Sequence, residues 1–92
     1  MTPTEFERSL AKSAPPDCAP ALQALWWAAK DDWNAAKIVM KHDDADCAWV
    51  HAHLHRVEGD LPNARYWYRQ AGKSVATTEL DAEREAMIAA LL

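Results

Sequence analysis

The stretch EGDLPNARYWYRQAG, residues 58–72, holds a turn and a helix. Gly59 and Asp60 break whatever precedes them, Asp60 can cap the helix after the break, and Pro62 falls in a first helical turn, where its missing N–H does no harm. Gly72 then ends the run. Laid over KDDWNAAKIVM, Lys30 to Met40, at a constant shift of 28 residues, the stretch pairs Asp32 with Asp60, Trp33 with Leu61, Ala36 with Ala64 and Lys37 with Arg65. One supersecondary unit is therefore used twice, and the expectation is two tandem antiparallel helical hairpins over residues 20–42 and 46–72. Ala36 and Ala64 would allow close helix contact, and Trp33 and Leu61 would plug each hairpin near its turn.

The flanks extend the same reading. Thr2, Pro3 and Glu5 have the pattern of a capping box with proline at the first helical position, so a helix is expected over 4–13. Pro15 and Pro16 cannot continue it and make a stiff linker over 14–19. Leu22, Leu25, Trp26 and Ala29 carry the spacing of one helical face; Asp31 and Asp32 stop that helix and cap the next, Trp33 to His42. HDDAD, residues 42–46, breaks the chain before a helix from about Asp46 to Glu58, the helix capped by Asp60 runs through Ala71, and a last one is expected over 78–92. With two glycines, and with no alternating run of β-branched residues, the 92-residue chain reads as one all-α domain of six helices. A chain this short buries only about 60 to 65% of the surface it exposes when unfolded, so its core should be thin.

Gly59, Leu61, Ala64, Tyr68 and Ala71 spell GxLxxAxxxYxxA, which resembles the second half of a tetratricopeptide or Sel1-like repeat. NARYWYRQAG is similar to the second helix of a Sel1-like unit. The resemblance covers about a third of the chain and implies stacked helical hairpins that bind a protein or peptide. Two features depart from the pattern: the period of 28 is shorter than the usual roughly 34, and His51 and His55 stand where bulky apolar residues are usual. HLHRVEGDLPNARYWY, residues 53–68, also resembles a group of small bacterial proteins of unknown function, which implies a bacterial source and says nothing about an activity.

Ten basic against fourteen acidic side chains give a net charge of −4, the wrong sign for a nucleic-acid partner. The acidic excess gathers in the middle third, at loops and helix starts, where carboxylates favour the helix dipole. Cys18 and Cys47 match no CxxC or zinc-ribbon spacing, and no stretch has the length of a signal peptide or a membrane span. A cytoplasmic protein with reduced thiols is the expectation, with no membrane partner.

WVHAHLHR, residues 49–56, sets three histidines at alternate positions. At about 100° per residue, Cys47, Val50, Leu54, Val57 and Leu61 form one apolar stripe, with His51 and His53 on opposite flanks and His55 turned further toward solvent. The three imidazoles do not converge. A narrower set remains: His51 and His55 share an edge with Glu58, and with Arg65 they could hold a metal or a small molecule. In a catalytic version one of these imidazoles acts as general base, oriented by Glu58 or Asp60. No nucleophile, glycine-rich phosphate loop or cofactor motif accompanies them, so neither enzymatic activity nor a cofactor is expected.

Five tryptophans and two tyrosines are many for so small a core. Trp26, Trp33 and Tyr68 have places on the helical faces, whereas Trp27, Trp49, Tyr66 and Trp67 fall at flanks. Exposed aromatics beside arginines are the usual ingredients of a protein interface, so Trp27, Trp49, His53, Arg56, Tyr66, Trp67 and Arg69 are the candidate partner-binding residues. The ending MIAALL needs an apolar partner, in this chain or in a second copy, which leaves a homodimer open.

Overall fold

The computed structural model describes residues 1–92. Its six helices are α1 (Pro3–Ser9), α2 (Pro20–Ala29), α3 (Asn34–Lys41), α4 (Ala45–Val57), α5 (Leu61–Ala71) and α6 (Leu80–Leu91). The fold is all-α, with two tandem helical hairpins, α2/α3 and α4/α5, between flanking helices. The capping box forms as expected: the Glu5 amide donates to Thr2 Oγ1 at 3.1 Å and the Thr2 amide to Glu5 Oε1 at 2.9 Å. α1 nevertheless ends at Ser9, four residues early, because the amides of Leu10, Ala11 and Lys12 bond three residues back and wind the chain tight before the two prolines.

Both hairpin turns close in the same way. Asp31 and Gly59, 28 residues apart, hold left-handed backbone with φ of 54° and 79°. In each turn the left-handed amide and the next one bond back to successive carbonyls: Asp31 to Ala28 and Asp32 to Trp27, then Gly59 to Arg56 and Asp60 to His55. Asp60 then caps α5 through the Asn63 amide, while Asp32 takes the Asn34 amide at 2.8 Å. The repeat is therefore real in the turns, and it holds in the first helices, where Leu22, Ala24 and Leu25 are buried at the places of Val50, Ala52 and His53. It slips by one residue in the second helices, where Ala35 and Val39 are buried at the places of Ala64 and Tyr68.

Three expectations change. Ala36 is only half-buried, and the close contact in the first hairpin is made by Ala35. Trp33 and Leu61 plug nothing: they are 72% and 49% exposed. The apolar stripe of α4 does not exist as one stripe, since Val57 is exposed while Ala48, Ala52 and His53 are buried beside Cys47 and Val50. The reason is position. α4 packs against α2, α3, α5 and α6 at once, and a helix covered on several sides loses the one-face pattern of a surface helix.

The main core gathers Phe6, Leu25, Trp26, Val50, Met87 and Ile88, drawn from α1, α2, α4 and α6. A smaller cluster of Ala52, Ala64 and Tyr68, flanked by Trp49 and Trp67, joins α4 to α5. α6 returns across α2 and α4, burying Met87 and Ile88 inside its own chain. The apolar ending therefore has its partner, and it makes no demand for a second copy.

Candidate functional site

His53 occupies the repeat position held by Leu25 in the first hairpin, and it is 4% exposed. A buried imidazole needs partners, and α6 supplies one. His53 Nδ1–H donates to Glu83 Oε1 at 2.6 Å, Arg56 Nη1 donates to the same oxygen at 3.1 Å, and the Tyr68 hydroxyl donates to Oε2. Arg56 Nη2 also donates to the Thr78 carbonyl in the segment that leads into α6. Burial alone would raise the Glu83 carboxyl, but the hydrogen bonds from His53, Tyr68 and Arg56 hold it below its ordinary value. Burial and the adjoining carboxylate push the Tyr68 hydroxyl up.

Beside this cluster a groove of about 540 Å³ opens where the hairpin turns meet the start of α6. Leu25, Leu54, Val57, Trp33 and Leu80 give it apolar surface, and Asp31, Asp32, Glu58 and Asp81 stand around it. Trp33, Val57 and Leu80 are 72%, 55% and 37% exposed. His53 borders the groove as well, but it is almost wholly covered and its Nδ1 is held by Glu83. Arg84, the one cationic side chain in the lining, gives Nη1 to Glu7 at 2.5 Å, while its Nε and Nη2 have no acceptor.

The other two histidines of α4 turn toward α5. His51 stacks on Trp67 at 3.9 Å between ring centres and on His55 at 5.0 Å, each pair within 16° of parallel. Both Nδ1 atoms are buried without a hydrogen-bond partner, and His55 Nδ1 lies 3.9 Å from carboxylate oxygens of Glu58 and Asp60. Parallel imidazoles point their lone pairs side by side, whereas chelation requires them to converge. No group of three or more histidine, cysteine or acidic side chains is placed to hold a metal ion, so His51, His55 and Glu58 do not form the metal set their spacing suggested. Arg65 lies exposed on α5. His55, expected toward solvent, is four-fifths covered.

Burial and the neighbouring His55 push the His51 imidazole down from 6.5 to about 4. Between those values the unfolded chain binds a proton that the folded chain refuses, so stability falls as the pH drops through this window and this contribution levels off below it. The expected loss is on the order of 2 kcal/mol after solvent screening. Urea titrations of the parent and of His51→Phe at pH 7 and pH 4 isolate it as the difference between their two pH dependences, with His51→Phe expected to lose less stability on acidification.

The aromatic interface set is dispersed. Trp27 is half-buried edge-on to Trp26, and Trp49 is half-buried with Lys73 Nζ 4.3 Å over its ring. His53 and Arg56 belong to the Glu83 cluster, so neither is a free contact residue. Tyr66 and Arg69 are exposed on α5, with Trp67 half-buried between them and the imidazole stack. Residues missed from the sequence include Trp33, Asp81 and Glu83. The pairing of Leu25 with His53 at the 28-residue shift was the available signal for a buried histidine; its partner 30 residues away left no local trace. Cys47 is inert as a nucleophile, its thiol pushed up to about 12 by burial and by Asp44.

No helix is long and apolar enough to cross a membrane. The chain matches no known family model, no curated protein and no solved structure.

Proposed function

We propose that this protein is an interaction module that takes a segment of a protein partner in the groove at the hairpin turns. The observation that carries the reading is Trp33: an indole 72% exposed on the wall of an apolar groove has no role in the core, and tryptophan is one of the residues enriched where truncation costs binding. Val57 and Leu80 extend the same apolar surface, and water leaves all three when a partner covers them. The carboxylates of Asp31, Asp32, Glu58 and Asp81 around the groove favour a polypeptide carrying basic side chains over a purely apolar ligand.

The packing of α4 against both helices of the preceding hairpin supports a tetratricopeptide-like arrangement, which agrees with a binding role. The partner surface differs from the one read along the sequence: it uses Trp33 rather than Trp27, Trp49 or His53. Trp33→Ala is expected to leave helicity intact and stability within about 0.5 kcal/mol of the parent, since an exposed side chain away from the core contributes little to folding. It is expected to abolish retention of partners in a quantitative pull-down. Retention equal to that of the parent would remove the groove as the site.

A further inference from the structure

Two surfaces of this chain lack a covering element, and their charges are opposite. One is the groove, where Asp31, Asp32, Glu58 and Asp81 surround apolar surface and the single cation, Arg84, is already paired with Glu7. The other is the outer face of α5. That helix lies close along α4 alone and reaches α6 only through the buried Tyr68 hydroxyl on Glu83, and its sequence LPNARYWYRQA contains two arginines and no acid. Leu61, Arg65 and Arg69 recur every four residues and so line one side, with the half-exposed Tyr66 beside them; none of the three polar side chains has a hydrogen-bond partner in the chain.

We propose that α5 of one copy docks into the groove of a second copy. The proposal rests on the groove being a docking site, and it names the occupant. Leu61 and Tyr66 supply apolar contact for Trp33, Val57 and Leu80, while Arg65 and Arg69 meet the carboxylates around the groove. Groove and helix are different patches, so each copy offers one of each: two copies can close reciprocally into a dimer, or the contact can repeat into a chain. The alternative occupant, an unrelated basic segment, is separated from this one by the protein's behaviour alone.

The test is sedimentation velocity on the whole chain across a concentration series, with two charge-reversed variants. E58K/D81K makes the groove basic and R65E/R69E makes α5 acidic; all four side chains are exposed, and circular dichroism verifies that both variants fold. The parent is expected to self-associate, with affinity weakened about tenfold or more between roughly 0.05 and 0.5 M salt. Each variant alone carries two surfaces of like sign and should sediment as a monomer. Mixed in equal amounts they regain association, because each then finds its opposite in the other. A monomeric parent, a variant that associates as the parent does, or a mixture that stays monomeric overturns the proposal. If the parent is monomeric and Trp33→Ala still loses a partner from the pull-down, self-docking fails while the groove keeps its role.

Discussion

Glu83→Ala is expected to remove about 3 to 5 kcal/mol of stability, seen as a melting temperature lower by more than about 10 °C. The carboxylate is 5% exposed and accepts from three side chains on two other helices, His53 and Arg56 of α4 and Tyr68 of α5. Removing it strands the Arg56 charge and two further donors in a place water reaches poorly, which is the costly way to break a buried polar group. Glu85→Ala, exposed two residues away on α6, should stay within about 0.5 kcal/mol of the parent. The pH profile separates the two as well. Because the folded carboxyl of Glu83 sits below its ordinary 4.5, its contribution is fully present above that value and is lost as the pH falls through the folded one. The alanine variant lacks that acid-side loss. Equal stability of the two variants would mean that α6 is held by Met87 and Ile88 alone.

The parts of this fold that were legible in the sequence are those written in local chemistry. Thr2 with Glu5, Asp60 and Gly72 each mark a helix end through contacts within a few residues, and each does so in the structure. The 28-residue repeat survives as a pair of matching left-handed turns at Asp31 and Gly59. What failed depended on where a helix sits among the others. A helical wheel assigns α4 one buried face, yet α4 has neighbours around most of its circumference, so His53 is buried and Val57 is not. The pairing of Trp33 with Leu61 places both as plugs at the hairpin turns, but both sit at the ends of their helices beside the turns and stay at the surface. The groove has no sequence signature because its lining comes from α2, α3, α4, α6 and the turns between them.

The same long-range logic governs the other end of the chain, where Trp26→Ala is expected to cost about 3 to 5 kcal/mol. Trp26 is fully buried at the centre of the main core, and its indole N–H donates to Ser9 Oγ at 3.0 Å, while that hydroxyl donates to the Phe6 carbonyl. The chain Trp26 to Ser9 to Phe6 ties α1, a helix of seven residues too short to persist unaided, to α2. Ser9→Ala alone should cost about 1 to 3 kcal/mol by leaving a buried indole N–H unpaired. In a Trp26→Phe background, where no N–H is left to strand, the same change should cost at least about 1 kcal/mol less, and a double-mutant cycle of urea denaturations measures that coupling. Additive costs would show that Ser9 matters through packing alone. The consequence reaches the groove, because α1 carries Glu7, the partner of Arg84 in the groove wall. If α1 is held by the indole hydrogen bond, Ser9→Ala should also weaken the partner binding proposed for the groove, at a temperature where the rest of the fold is intact.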